Sequence, residues 1–397
     1  MKKPYLNTSA SVTPELRELS APARLRVPLH EKHKPTVKKK QTVARGEVIA
    51  ENPAKSAYGT GFLHAGMDGV VEEILTDAIV IAALPEPREG EETTVPAGPE
   101  PAVLNGLEGE ALCRRLLELG IDTGVFHPGR MLIVNALNPE PGMLASEYLL
   151  LKERATLEAG LRLLERAVHP PAVKLAVARG MDAALQGCAT VHVSDRYPST
   201  IDPLVVHALT GTERPGNVDV ISVSHLYRAG RVAETGLPAP DAILSLNGSL
   251  FRVSAGIPVQ DVLDAAGISS GPGWKVALGG PMRGESIFDL SVGVPPDCTA
   301  ITVVREGEFP EVAPNPCIHC GECVLACPAR IHPGLLSANA EFGFFDAARA
   351  GHVETCLECG MCTFVCPANR PVMQYLLVAK RQLADQDETL TSCRLQA

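Results

Sequence analysis

At 397 residues, 45% hydrophobic and 21% charged, the chain is long enough for two to four domains and too apolar to be disordered. Aromatic residues make up 4%, with one tryptophan (Trp274), which argues against a base-stacking platform. Charge is unevenly divided: residues 1–50 hold 11 Lys+Arg against 4 Asp+Glu, a net +7, while the rest holds 25 against 42, a net −17, and a mostly acidic chain disfavours nucleic acid as a partner.

Met1-Lys2-Lys3-Pro4 is basic, but polar Asn7-Thr8-Ser9 follows it instead of an apolar signal segment. The longest apolar stretch, Ala78 to Leu84, is far too short to span a bilayer, so no direct membrane span is expected. Residues 1–84 read as a basic extended arm and a β module, with short pieces at 42–44, 46–50 and 66–71 punctuated by Gly turns. Residues 85–104 are a linker that begins in a Pro-, Gly- and Glu-rich stretch. Over 105–240 helix and strand alternate. Glu108 to Leu119 predicts a helix, and Met131 to Val134, Val173 to Ala178, Thr190 to Val193 and Val218 to Val223 predict strands. Leu150, Leu157, Leu161, Leu164 and Val168 fall on one face of a single long helix, and the alternation predicts a parallel α/β sheet. Residues 241–305 predict an α+β module with a hairpin around Asn247-Gly248, a helix over Val259 to Ala266, and the turn-rich loop Gly279-Gly280-Pro281-Met282-Arg283-Gly284. Residues 310–386 hold the cysteine runs between short helices, and 387–397 read as a frayed tail.

Of the twelve cysteines, eight fall in two runs of identical spacing. They are Cys317-x2-Cys320-x2-Cys323-x3-Cys327-Pro328 and Cys356-x2-Cys359-x2-Cys362-x3-Cys366-Pro367. Three thiolates three residues apart can reach three corners of one 4Fe–4S cube. The fourth, carried into the next helix and pinned by proline, points to the other cube. The expected ligand sets are Cys317, Cys320, Cys323 and Cys366 for one cluster, and Cys356, Cys359, Cys362 and Cys327 for the second. Zinc is the competing reading, but it asks for two pairs rather than two quartets and for no proline after the last Cys. Gly321 and Gly360 follow the second Cys of each run, where backbone must pass close to sulfur. His319 and His332 lie off the ligand positions and read as supporting or surface residues. Cys113, Cys188 and Cys298 read as small buried hydrophobes, and Cys393 as incidental.

The stretch from Cys356 through Cys366-Pro367-Ala368-Asn369-Arg370-Pro371-Val372-Met373-Gln374-Tyr375-Leu376 to Lys380 resembles the RnfC family, the C component of the ion-translocating Rnf electron-transport complex. The loop Gly279-Gly280-Pro281-Met282-x-Gly284 and the position of the N-terminal β module are similar too. The resemblance implies a multidomain α/β and α+β fold. Its parts would be an N-terminal barrel-sandwich, a Rossmann-like α/β domain, a β-grasp module, and a helical, bacterial-ferredoxin-like dicluster domain. It also implies a peripheral subunit on the cytoplasmic side of the cell membrane that binds FMN, exchanges electrons with NADH and passes them to membrane subunits. One departure counts against FMN and NADH here. The family's flavin loop is rich in glycine, whereas the matching stretch, Gly120 to Arg130, is shorter, has lost the clustered glycines and carries Asp122, which would repel a phosphate. In the family's Asn-x-x-Glu-x-Glu-Pro, Asn135, Glu140 and Pro141 survive, but Asn138 replaces the first Glu.

The expected function is therefore an electron-transfer subunit relaying electrons through two 4Fe–4S clusters, with no acid–base catalytic residue. If the flavin site is lost, electrons would enter from a ferredoxin or a cytochrome. The alternatives are a structural adaptor whose clusters mainly stabilise it, and a flavin and iron–sulfur protein akin to the cobalamin reductases of bacterial microcompartments.

Overall fold

A computed structural model of the chain describes residues 6–9, 14–53, 56–84, 97–269 and 271–395, with side chains as far as 388. Most of the expected linker, the first five residues and residues 10–13 lie outside the described residues.

The N-terminal β module is built of two small antiparallel sheets. One runs in the order Arg24–Pro28, Ala78–Ala83, Gly69–Ile74, Thr42–Val43, and the other in the order Lys34–Pro35, Val48–Glu51, Leu63–His64. Alternation along Arg24–Pro28 turns Leu25 and Val27 inward, where they meet Val71, Ile79 and Ile81. This core does not close on itself. It continues into Leu244, Phe251, Val253 and Val259, so the β module and the later hairpin module share one apolar interior.

The α/β unit has a four-stranded parallel sheet in the order Ala189–Val193, Val173–Ala178, Met131–Asn135, Val218–Ser222. Its central strands are buried on both faces, as helix-covered parallel strands must be, with Ile133, Val134, Leu175, Ala176 and Val177 fully enclosed. The single long helix expected from the leucine spacing is two helices, Ala145–Lys152 and Arg154–Val168. They are separated at Glu153, whose backbone leaves helical geometry at φ −114°, ψ 31°. Leu150 and Leu157 stay buried on either side, so the apolar face survives the break that its periodicity concealed.

The third sheet has six strands, in the order Glu285–Ile287, Lys275–Leu278, Ala300–Val304, Asp241–Leu246, Ser249–Ser254, Leu16–Glu18. Asn247 (φ 44°) and Gly248 (φ 86°) both lie in the left-handed region, as a two-residue hairpin turn requires. The N-terminal arm is stitched into the rest of the molecule: Leu16–Glu18 forms one edge of this sheet, and Leu6–Asn7 pairs with Arg196–Tyr197 beyond the α/β sheet.

The cysteine region is helical: Glu322–Ala326, Pro333–Glu341, Phe345–Ala350, Met361–Phe364 and Val372–Leu395. The expected frayed tail is instead a continuation of the last helix to Leu395. No Gly or Pro interrupts residues 372–395, and Leu376, Ala379 and Leu383 bury one stripe of that helix against its neighbours. Among the described residues no helix is long and apolar enough to cross a membrane.

Candidate metal centre

The two cysteine runs fold alike. Left-handed backbone recurs at matching positions after the first cysteine of each: His319 and Glu358 (φ 53° and 56°), Gly321 and Gly360 (79° and 72°), Arg330 and Asn369 (58° and 50°). Gly321 and Gly360 each start a short helix, Glu322–Ala326 and Met361–Phe364, which turns the chain so that successive cysteines face one hollow.

The eight cysteines divide across the runs. Cys317, Cys320, Cys323 and Cys366 line one cavity, with Ile318, Gly334 and Arg370. Cys327, Cys356, Cys359 and Cys362 line the second, with Gly360, Met373 and Leu376. The electrostatics divide the same way. Burial raises Cys323, and Cys317 and Cys320 add to it. Burial pushes Cys359 up to about 11, with Cys356 and Cys327 adding to it. Cys362 is driven higher still by burial and then by Cys359, Cys356 and Cys327, with Cys323 across the wall between the cavities contributing last. Among the described residues no three Cys, His, Asp or Glu side chains converge tightly enough for a single metal ion. Four thiols spread around each hollow instead suit a cube with sulfur at its corners. Thiols raised this far are protonated at neutral pH, so any metal that binds them displaces protons.

Each cavity has its own supports. At the first, Arg370 is 3% exposed and donates to the Asn315 carbonyl at 2.7 Å, pairs with Glu341 and lies over the Tyr375 ring at 4.9 Å. It thereby ties the approach to Cys317 to the segment leaving Cys366. The Arg370 hydrogen bond also holds the Glu341 carboxyl below its ordinary range. His332 caps the helix Pro333–Glu341, its Nδ1 accepting from the Leu335 amide at 3.1 Å, while His319 is exposed. At the second cavity, Lys380 donates to the Cys356 carbonyl at 3.2 Å and pairs with Glu358.

The second cavity is also fastened to the body of the molecule. Tyr197, Ile201, Leu357, Cys359 and Met361 form a buried apolar cluster with Leu6 and Met282 packed against it. The Tyr197 hydroxyl donates to the Cys359 carbonyl at 2.6 Å. The Gly279–Gly284 loop presses on the same run, since a Cβ at Gly360 would lie 2.7 Å from the Met282 carbonyl. That loop is held by Glu140, whose carboxylate accepts from the amides of Met282 (2.7 Å) and Arg283 (3.2 Å). Glu140 comes so close to Gly280 that a Cβ there would sit 2.3 Å from the carboxylate. Burial raises the Glu140 carboxyl, and the two amides oppose the rise.

The residues of the altered flavin loop do not fit a bound phosphate. Its amides are already donated inside the protein: Gly120 and Ile121 to the preceding helix, Thr123 and Gly124 to the Gly59 carbonyl, Phe126 to Thr123, and His127 to the Asp219 carboxylate. Asp122 occupies the turn and accepts from Gly124 at 2.9 Å. The polar residues after the Met131–Asn135 strand are spent as well. Asn135 donates to Thr200 and Asp202, Asn138 to Thr8 and Glu147, and Glu140 holds the Gly279–Gly284 loop. A phosphate needs several free donors converging on one point, and the amides named here are already taken. Cys113 is fully buried and Cys188 and Cys298 half-buried, none of them near either cavity's lining, and the side chain of Cys393 lies outside the described residues. Sequence reasoning missed Tyr197 and the roles of Arg370 and Glu140. Each acts through a contact 29 to 162 residues distant, which spacing does not encode.

Residues 309–367 match the 4Fe-4S dicluster domain family, so this segment is similar to two-cluster iron–sulfur domains. The fuller relatives are the C components of Rnf-type complexes. That of the Na(+)-translocating ferredoxin:NAD(+) oxidoreductase complex of Acetobacterium woodii is 27% identical over 89% of this chain and 88% of its own length. That of the ion-translocating oxidoreductase complex of Pseudomonas aeruginosa is 31% identical over 65% of this chain, though the match takes in only 36% of that longer protein. The corresponding protein of Methanosarcina acetivorans is 36% identical over 38% of this chain and 35% of its own length. The chain is thus a relative of the RnfC family, the C components of the ion-translocating oxidoreductase complexes. Among solved structures, an NAD+-reducing [NiFe]-hydrogenase in the air-oxidized state aligns over 60% of this chain and 54% of its own at 16% identity and a TM-score of 0.42, too loose a likeness to build on.

Proposed function

We propose that the chain is an electron-transfer subunit of an RnfC-type ion-translocating complex, relaying electrons through two 4Fe–4S clusters. The observation that carries this reading is the sorting of eight cysteines into two adjoining four-thiol cavities, each drawing one thiol from the other run. Cys317, Cys320, Cys323 and Cys366 would hold one cluster, and Cys356, Cys359, Cys362 and Cys327 the other. Such clusters, when bound, take up and release electrons singly. The chain's own residues supply the rest. Met373 and Leu376 keep the second cavity dry, Arg370 and Lys380 fix the loops that carry the thiols, and the left-handed glycines aim them. No residue has to move a proton.

In finer detail we read residues 1–84 as a basic arm and barrel-sandwich, 105–240 as a Rossmann-like domain, 241–305 as a β-grasp module and 310–386 as the two-cluster domain. Because most amides of the flavin loop are already donated within the protein and Asp122 sits in its turn, this chain works without FMN or NADH of its own, and a ferredoxin or cytochrome supplies or takes the electrons. Other Rnf-type subunits hold it as a peripheral protein on the cytoplasmic side of the membrane, and its basic first 50 residues are the docking surface.

The test is anaerobic purification and reconstitution with iron, sulfide and flavin analysis. About eight irons and eight sulfides per chain, with no stoichiometric FMN, are expected. Stoichiometric zinc with four irons or fewer would end the two-cluster reading. Membranes bearing the partner subunits should retain the chain at low salt and release it as salt rises. A chain wholly soluble at low salt would sink the membrane assignment.

A further inference from the structure

The carboxyl edge of a parallel sheet is where α/β proteins usually receive a ligand. In this chain that edge is spent on another task. Beyond the edge strand Ala189–Val193, the two-residue strand Arg196–Tyr197 pairs with Leu6–Asn7 of the N-terminal arm. The arm is pinned there by Thr8, whose amide and hydroxyl both donate to the Asp195 carbonyl at 2.9 Å, and whose own carbonyl accepts from Asn138 at 3.0 Å. Between them they leave Tyr197 with no exposed surface. Its ring lies among Leu6, Ile201, Leu357 and Met361, and its hydroxyl has one partner there, the Cys359 carbonyl at 2.6 Å.

A phenol buried in such surroundings donates its proton to the one acceptor within reach, the Cys359 carbonyl. The acceptor is the backbone of a cysteine that is itself 7% exposed and lines the second cavity. The equivalent cysteine of the first run, Cys320, is open to solvent. The same local cradle is therefore clamped from the α/β body in one run and faces water in the other.

We propose that Tyr197 is a positioning residue for the second cluster: its hydroxyl fixes the Cys359 loop and raises that cluster's reduction potential above what the loop alone would set. The proposal rests on the ligand sets given above. Reduction adds a negative charge to a cluster, and a donor dipole held nearby with its positive end toward the ligand loop favours the reduced form. With Tyr197 fully buried and its ring packed on apolar side chains, no water replaces the hydroxyl once it is removed, and the nearby charges of Glu140 and Arg283 stay in place, so the loss is not compensated.

The experiment is a redox titration, followed by electron paramagnetic resonance, of the anaerobically reconstituted full chain and two variants. Tyr197→Phe keeps the ring and removes the donor. Site-specific 3-fluorotyrosine at position 197 keeps the ring and strengthens the donor. The second cluster is identified independently as the signal lost in Cys327→Ser. The expected result is that Tyr197→Phe lowers the potential of that cluster alone, fluorotyrosine raises it, and iron stays near eight per chain in both. A role in packing alone would leave the fluorotyrosine protein unmoved, and that outcome overturns the proposal even if Tyr197→Phe fails to fold. Equal shifts in both clusters overturn it too. A wild-type chain without two clusters overturns the ligand sets first, which is a different failure and is recognised before any variant is made.

Discussion

The two cysteine pockets share a spacing and a local backbone, and differ in almost everything around them. The first carries the more exposed residues: Cys320 is open to solvent, and so is Ile318 on the same lining (63% exposed). At the second, Cys359 and Cys362 are each 7% exposed and their thiols are pushed up by that burial, while Cys327 and Cys356 are half-buried. The first is braced from within its own helices by Arg370. The second is braced from outside them, by Tyr197 of the α/β unit and by the Gly279–Gly284 loop of the six-stranded sheet. Spacing decides how a run folds around a cube, and the remainder of the chain decides how wet and how rigid that cube's seat is. Exposure and fixed dipoles set a cluster's potential, so two unlike seats give two unlike potentials.

The largest expected effect tests whether the pockets exchange a ligand at all. Cys327 belongs to the first run but lines the second cavity. Cys327→Ser should cost the second cluster and spare the first, taking iron from about eight to about four per chain. Iron analysis with spectra that resolve the two clusters decides it. Primary loss of the first cluster would mean that each run serves its own cube, and the comparison of the two pockets would have to be redrawn.

Most of what makes the pockets alike was legible in the sequence. The paired runs, the proline after each fourth cysteine and the glycine after each second one name eight residues and a chemistry. The strands of the parallel sheet and the Asn247-Gly248 hairpin follow from apolar runs and turn chemistry, because those signals are local. What makes the pockets differ was not legible. Tyr197 reaches Cys359 across 162 positions, and Glu140 reaches Met282 across 142. No period or motif links such pairs before the chain is folded. The break at Glu153 was hidden because the apolar stripe continues through it, and the helical end of the chain because polar residues there looked like a tail. The altered flavin loop was visible as lost glycines, but that its amides are spent on Gly59 and Asp219 was not.

A smaller effect follows from acid. Burial pulls His64 down to about 4, against the carbonyls of Glu118 and Phe62 that would favour its proton, and His225 down to about 3. In an unfolded chain both would titrate near 6.5. Between pH 6.5 and about 4 the unfolded state therefore binds more protons than the folded one. Stability is full above pH 6.5 and drains as pH falls, by about 1 kcal/mol at pH 5.5 and about 3 kcal/mol in all from His64. This weakening belongs to the body that clamps the second pocket, not to the helices that brace the first. Between pH 7.5 and 5.5 the protection of amides against hydrogen exchange, corrected for the intrinsic rate at each pH, should fall more in residues 356–366 than in 317–327, and His64→Gln should reduce the difference. Equal acid sensitivity in both runs would break the claim that only one pocket is held from outside.

The smallest effect concerns the wall between the pockets. His332 stands between Ile331 and Pro333, which line the second cavity, and two residues before Gly334, which lines the first. A histidine so close to clustered thiols invites reading as a ligand. Its Nδ1 is instead occupied by the Leu335 amide, one of the donors that the first turn of helix Pro333–Glu341 leaves without a backbone partner. His332→Ala should therefore cost about 0.5–1 kcal/mol, the lower range for a lost cap. The cost should appear as faster exchange in that first turn. Iron should stay at about eight per chain, with the potentials of both clusters unmoved, because four thiols already complete each set. Loss of iron from the first cluster in this variant would make His332 a ligand and leave Cys366 without a place in the first pocket, so the exchange of fourth cysteines between the runs would fall with it.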